Sequence, residues 1–372
     1  MNDHCLPGLY IHVPFCGSKC PYCDFYSVTS PSQIPQWLEA LDREAMHYKD
    51  RFSLFDSLYV GGGTPSLLDE KALTSLTQGL LRRFTFSSEA EWTIECNPDD
   101  IIPGKAALLR DLGFNRISLG VQSFDDRELR LLQRRHSASQ AVRAVDTFLG
   151  LGFKNIGIDL MYALPGQSES DWLATLNRAL EFGPAHLSCY ELTLAEGTPF
   201  AEMQESGQLK TPEPEMQRAL FLITTETLGD HGYIHYEVSN FAKEEGSMCR
   251  HNRKYWNRLP YLGLGPSAHS FAQGKRWWNV KSVSRYCDAL FSDRLPIGDS
   301  EILSQDQEHL ESLALGFRTK EGVAEGLLHH RPNADKIIND LRQSGLVNCE
   351  NGRIIPTPKG LLVADRLPLL FC

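Results

Sequence analysis

Six short, mostly apolar runs punctuate the first half of the chain, and each gives way to a stretch with a different period. They are "LYIHVPF" (9–15), "SLYVGGG" (57–63), "EWTIECNP" (91–98), "RISLGVQS" (116–123), "NIGIDLMYAL" (155–164) and "HLSCYELT" (186–193). Runs of this length, rich in β-branched and aromatic residues, predict strands. Between them, apolar residues recur at i, i+3 and i+4, as in "QWLEALDREAMHY" and "DWLATLNRALEF", which is the period of an amphipathic helix. Several runs are continuously apolar, as expected for a parallel sheet covered on both faces. Six βα units in succession predict an α/β fold, either a doubly wound sheet or a barrel, complete or partial. In either, chemistry gathers at the C-terminal ends of the strands.

The pattern changes after "LKTPEPEMQ" (209–217), where a long helix is expected over roughly 214–230. Residues 233–287 are aromatic-rich and less regular. From about 300 the chain reads as helices, a hairpin turning at Asn351-Gly352, and a last helix, an order that resembles a winged helix. Its charge is mixed, so it reads as a packing or partner module rather than a DNA reader. Three units result: 1–230 as the barrel, 231–295 as a connecting region, and 296–372 as a winged-helix-like domain.

Composition narrows the class. The chain has 372 residues, is 42% hydrophobic and carries a formal charge of −10. A core of that size is readily buried, and the acidic balance disfavours a general nucleic-acid role. "MNDHCLPG" has neither a basic n-region nor an apolar h-region, and no apolar run is long enough to span a bilayer. A cytoplasmic protein with reduced thiols is the expectation. Of ten cysteines, Cys5, Cys96, Cys189, Cys249, Cys287, Cys349 and Cys372 are scattered and read as packed or idle thiols.

The other three stand together in "CGSKCPYCDF" (16–25), directly after the first strand. Zinc prefers paired C-x-x-C units or histidines downstream, and CxxxCxxC offers neither. Four cysteines usually hold a cubane iron–sulfur cluster. Cys16, Cys20 and Cys23 can take three of its corners and leave the fourth open. Further polar groups fall at later strand ends. "GGGTP" (61–65) allows close backbone approach, Glu95 and Asp159 offer acceptors, and Gln122 an amide. His12, inside an apolar strand, reads as a hydrogen-bonded supporting residue.

Y-I-H-V-P-F-C-x-x-x-C-x-Y-C followed by G-G-G-T-P resembles the radical S-adenosylmethionine (SAM) superfamily. Within it, the chain resembles the branch holding oxygen-independent coproporphyrinogen III oxidase and the heme chaperones. The resemblance implies a partial (β/α)6 barrel and a 4Fe–4S cluster on Cys16, Cys20 and Cys23 whose open iron takes SAM. It also implies SAM contacts from Tyr10, Tyr22, Gly62, Gly63, Thr64, Glu95, Gln122, Arg134 and Asp159. The oxidase branch carries a further cysteine two residues past the third; here that residue is Phe25, which sets the oxidase apart.

"HNRKYW" (251–256) resembles the HNxxYW motif of the heme chaperones. The resemblance makes His251 an axial ligand to heme iron, with Tyr255 and Trp256 as porphyrin faces. Arg250, Arg253 and Lys254 then stand as propionate partners, and Cys249 and His269 as alternative ligands. From Ser247 to Cys287 the chain has eight Lys or Arg and no Asp or Glu, together with Trp256, Trp277 and Trp278. That region suits an anionic planar ligand, and would also suit single-stranded nucleic acid. The reading is therefore a heme carrier with cluster and SAM, delivering heme to acceptor hemoproteins, among them membrane-bound respiratory enzymes. The alternatives are a porphyrinogen-decarboxylating oxidase and a nucleic-acid-modifying enzyme. A homodimer is the family expectation.

Overall fold

A computed structural model describes residues 6–328 and 332–371; Cys5 and Cys372 lie outside them. The six expected strands are β1 (Gly8–Val13), β2 (Leu54–Gly62), β3 (Thr85–Cys96), β4 (Arg116–Gln122), β5 (Asn155–Tyr162) and β6 (His186–Glu191). They pair parallel in sequence order. Helices α1 (Ile34–Tyr48), α2 (Glu70–Arg83), α3 (Pro103–Asp111), α4 (Asp126–Leu131), α5 (Ala138–Gly150) and α6 (Glu169–Leu180) fill the crossovers. Capping boxes start α5 at Ser137 with Gln140 and α6 at Ser168 with Asp171; each satisfies two otherwise orphaned amides. After β6 come α7 (Pro199–Glu205) and α8 (Pro214–Asp230), the latter on the expected bounds.

Alternate residues of β1–β5 explain the layering. Leu9, Ile11, Leu58, Val60, Ile94, Ile117, Leu119, Ile158 and Leu160 are fully buried, in one core with helix residues such as Trp37, Leu73, Leu109 and Trp172. The other face is polar, which corrects the expectation of strands apolar on both faces. Its register sets Tyr10 beside Tyr59, Tyr59 beside Thr93, Glu95 beside Ser118, and Gly120 beside Asp159, which neighbours Ser188. A period of two therefore places one helix-packed face and one chemical face on each strand.

The region after 231 forms further strands and helices of its own. It extends both edges of the same sheet. Strands β7 (Ile234–Glu237) and β8 (Asn240–Ala242) add to β6. Then α9 (Arg250–Trp256) leads to β9 (Tyr261–Leu264), which lies parallel on β1. Strands β10 (His269–Ala272) and β11 (Lys275–Asn279), helix α10 (Val283–Phe291) and β12 (Ile297–Ile302) follow. The resulting sheet has 12 strands in the order β12-β11-β10-β9-β1-β2-β3-β4-β5-β6-β8-β7. It is open, with β12 and β7 at its edges.

The C-terminal part has its own small core of Leu313, Phe317, Ile338, Leu341, Val347 and Ile354. It contains α11 (Gln305–Gly316), β13 (Val323–Ala324), α12 (Ala334–Gln343), β14 (Val347–Glu350), β15 (Arg353–Pro356) and α13 (Pro358–Leu361), with sheet order β13-β15-β14. Asn351 and Gly352 have φ of 51° and 71°, the left-handed pair a tight hairpin requires.

Candidate functional site

The loop after β1 carries the three thiols to the C-terminal end of the sheet. Cys16, Cys20 and Cys23 line one small cavity of about 70 Å³ together with Gly63, Thr64 and Arg134. Backbone bonds fix the loop: Cys16 N donates to the Val28 carbonyl at 3.0 Å, and Cys23 N to the Cys20 carbonyl at 3.1 Å. "GGGTP" crosses beneath it, with Gly63 N donating to Val13 and Thr64 N to Phe15. A Cβ at Gly63 would stand 2.6 Å from the Phe15 carbonyl oxygen, so only glycine permits this crossing. Thr64 Oγ1 reaches Cys16 Sγ at 3.5 Å, and Arg134 Nη1 reaches Cys20 Sγ at 3.5 Å. Among the described residues, no three His, Cys, Asp or Glu side chains converge closely enough to share one metal ion. Three thiols facing one cavity are nonetheless the donor type that iron–sulfur clusters take.

Beside the thiols, the polar strand face presents two half-buried carboxyls, Glu95 and Asp159. Tyr59 OH donates to Glu95 Oε1 at 2.8 Å and Gly62 N to Glu95 Oε2 at 3.0 Å. Burial lifts the Glu95 carboxyl to about 7, because a charged group loses its hydration there. Burial also raises Asp159, which accepts from Ser118 Oγ at 2.8 Å. Among the described residues no cation is among the groups that shift Glu95, so a cationic ligand group brought there would favour its charged form. Arg134 spends Nη2 on the Gly120 carbonyl at 2.8 Å, while its buried Nε has no partner. That orphan donor suits a carboxylate. Gln122 sits at a bulge between β4 and β5 with φ of 66°, a non-glycine conformation that aims its side chain off the strand. A Cβ at Gly120 would meet Gln122 Nε2 at 3.1 Å and Arg134 Nη2 at 3.4 Å.

Tyr10 OH lies 3.1 Å from His12 Nδ1, and His12 Nε2 lies 2.8 Å from the Tyr26 carbonyl. The carbonyl only accepts, so His12 donates from Nε2 and takes the Tyr10 hydrogen at Nδ1. Tyr22 packs on Phe200 with ring centroids 6.3 Å apart, at the rim of the thiol cavity. Tyr59, Ser118 and Ser188 joined the site unannounced by any motif. Their signal was register: each is the neighbour, one strand over, of a residue on the chemical face.

Helix α9 divides its residues. His251 and Tyr255, four apart and on one face, turn toward the sheet, with His251 5.4 Å from Tyr59 and 6.2 Å from Tyr10, ring to ring. Trp256 turns away, under Arg318 of the C-terminal part at 5.7 Å. His251 is enclosed. It is 0% exposed; Ser57 Oγ lies 3.1 Å from its Nδ1 and Tyr255 OH 2.9 Å from its Nε2. Burial and the nearby Lys254 ammonium push its pKa down to about 3, so the ring is neutral and hydrogen-bonded at both nitrogens. Lys254 is not open to a propionate: it is buried on Asp56 at 2.7 Å and on the Leu6 carbonyl at 2.7 Å. Arg250 donates to the Glu89 carbonyl, and Arg258 and Arg276 pair with Glu311. Much of the basic run is thus matched by carboxylates that the sequence places elsewhere. Cys249 is buried and caps α9.

His269 has a different setting. It is exposed and lines a cleft of about 320 Å³ with Tyr10, Tyr26, Tyr255, Tyr261 and Lys281, bounded by Asp24 and Phe25 of the cysteine loop.

The comparisons agree with this geometry. A family model described as the radical SAM superfamily matches residues 10–179. Coproporphyrinogen III oxidase (HemN) from Escherichia coli, solved as a radical SAM enzyme, superposes with a TM-score of 0.85 at 25% identity, covering 99% of this chain and 90% of that one. The fold and the three-cysteine loop are thus those of a radical SAM protein. Heme chaperone HemW of Mycobacterium tuberculosis is 35% identical over 367 residues, 96% of this chain and 93% of the relative. That of Bacillus subtilis is 32% identical over 372 residues, 97% and 98% of the two chains. The chain belongs to the HemW heme chaperone family.

Proposed function

We propose that the chain is a heme carrier of the radical SAM type. It holds a 4Fe–4S cluster through Cys16, Cys20 and Cys23, SAM on the adjoining polar strand face, and heme, which it passes to acceptor hemoproteins. The observation that carries this reading is convergence. A thiol loop, a half-buried pair of acceptors with an orphan arginine donor, and an aromatic cleft bordered by that same loop adjoin one another on one sheet. The cluster supplies a metal corner for the amino-acid end of SAM, and the chain's own residues account for the rest of that ligand. Glu95 meets a cationic group, Arg134 Nε a carboxylate, and Gly62, Gly63 and Thr64 give close backbone approach. Tyr10, Tyr22, Gln122 and Asp159 complete the surround. Helix α9 backs the heme side, where Tyr255 gives a face and His251 holds that tyrosine in place.

The eight described cysteines are all unpaired, which supports a reducing cytoplasmic setting. Among the described residues no helix is long and apolar enough to cross a membrane. Membrane-bound respiratory enzymes as acceptors therefore require a peripheral encounter.

The test is transfer. Heme-loaded protein is mixed with an apo-hemoprotein, and the acceptor's Soret band is followed. Growth of that band with loss of the donor's supports the reading; a protein that takes up no heme ends it. The likeness to coproporphyrinogen III oxidase gives a second reading, which an anaerobic assay with coproporphyrinogen, SAM and reductant checks through carbon dioxide release. Phe25 at the position of the oxidase branch's extra cysteine argues for no release.

A further inference from the structure

Resting on the heme-carrier reading, the geometry points to His269 as the axial ligand of a heme held edge-first in the cleft, with Lys281 meeting a propionate. Three observations carry this. The first is availability. Among the described residues of the cleft wall, His12 has both ring nitrogens in hydrogen bonds, as does His251 behind it. His269 is exposed and neither of its nitrogens is so bound, and its ring lies on Trp278 at 5.5 Å with planes 23° apart. An indole behind an imidazole fixes its plane without occupying its lone pair. Partial burial of the ring, and after it the nearby Lys281 and Arg276 charges, lower the pKa of His269, which favours the neutral ring that metal ligation requires.

The second is the surround. Tyr10, Tyr26, Tyr255 and Tyr261 offer aromatic surface, and Phe25, 64% exposed, stands at the mouth. Lys281 also lines the cleft, and among the described residues no carboxylate lies within ion-pair distance of it. It is thus an available cation, while Lys254, Arg258 and Arg276 are occupied. The cleft volume, about 320 Å³, sits at the low end of the ~300–1,000 Å³ usual for ligand sites. It admits part of a macrocycle and leaves the rest outside, a seat from which cargo can be surrendered.

The third is backbone. Gly265 and Ser267, just before β10, have φ of 102° and 65°. The second is a left-handed non-glycine residue on the cleft wall, the kind of strain that clusters at ligand sites. Gly265 leaves no room for a Cβ, which would stand 2.5 Å from the His12 carbonyl oxygen. The turn that delivers His269 is therefore locked against β1.

The experiment is hemin titration of the full chain, read by Soret position and affinity, for wild type and for His269→Ala, His251→Gln and Lys281→Ala. Losing an outer-shell partner of a metal ligand costs about 10–100-fold in affinity, and losing the ligand itself costs no less. His269→Ala is expected to shift the Soret band and weaken binding by at least about tenfold, and added imidazole is expected to restore the band. His251→Gln, which disturbs the hydrogen bond that holds Tyr255, weakens binding but leaves the band position, which the axial ligand sets. Lys281→Ala weakens binding a few-fold without moving the band, and this loss disappears with heme dimethyl ester, which lacks the charged propionates. Wild-type band and affinity in His269→Ala, with an unchanged thermal melt, overturn the assignment while leaving the carrier reading intact. A wild type that binds no hemin overturns the carrier reading itself.

Discussion

Glu44 shows how a single buried group shapes this protein away from its cysteine loop. It accepts from Gly265 N at 2.8 Å, Asn279 Nδ2 at 2.6 Å and Tyr286 OH at 2.5 Å, tying α1 to the strands that flank the cleft. Burial raises its carboxyl to about 7, above the unfolded value near ~4.3. The folded state therefore holds its proton more tightly. Its contribution is largest below the unfolded pKa, declines as pH rises through about 4.5 to 7, and is flat above. Glu44→Gln loses a partner for one donor and is expected to cost about 1–3 kcal/mol at pH 5, with a smaller deficit at pH 8. Chemical denaturation of both proteins at the two pH values checks this; a deficit that is the same or grows with pH contradicts it. The cluster cysteines and the motif at 251–256 could be read residue by residue because spacing carried them. The partners of that motif could not. Lys254 finds Asp56 across 198 positions of chain, and nothing local in either segment announces the other.

At the level of elements, α9 is held by what its residues do inward. Lys254 and Asp56 have side chains only 3% and 12% exposed and lie 2.7 Å apart. Removing one partner of such a pair strands the other's charge and costs about 3–5 kcal/mol. Lys254→Ala should lower stability by that amount, and Lys254→Met with Asp56→Leu should recover much of it. If the double variant is no more stable than the single one, the pair is not the fastening described here. The six barrel strands were legible because each is a compact apolar run bounded by turns. Their polar inner face was legible only as isolated residues, since Tyr59, Ser118 and Ser188 gain meaning from register. Strands β9 to β12 were not legible: their glycines, tryptophans and lysines follow neither period cleanly, and the pairing of β9 with β1, on which the others build outward, joins segments about 250 residues apart.

Across the whole molecule, the basic run and the acidic C-terminal helix explain each other. Arg258 pairs with Glu308 and Glu311, and Arg276 with Glu301 and Glu311, so Glu311 sits at the centre of a charge network between sheet and tail. Isolated surface pairs contribute little, but a network contributes more. Glu311→Arg is expected to loosen the tail, seen as faster limited proteolysis near Leu303–Ser304, and high salt should do the same to wild type. Equal cleavage rates would show that the apolar contacts alone hold it.

The central claim is that three thiols hold a cluster with one corner left for a ligand seated between Glu95 and Arg134. Its most direct test is the electron paramagnetic resonance spectrum of the anaerobically reconstituted, reduced protein, with and without SAM. The account predicts a 4Fe–4S signal that SAM alters, that Glu95→Gln keeps but shifts only at about tenfold higher SAM, and that vanishes when Cys16, Cys20 and Cys23 are changed to alanine. A signal that survives the loss of all three cysteines, or one that SAM leaves untouched, would contradict it.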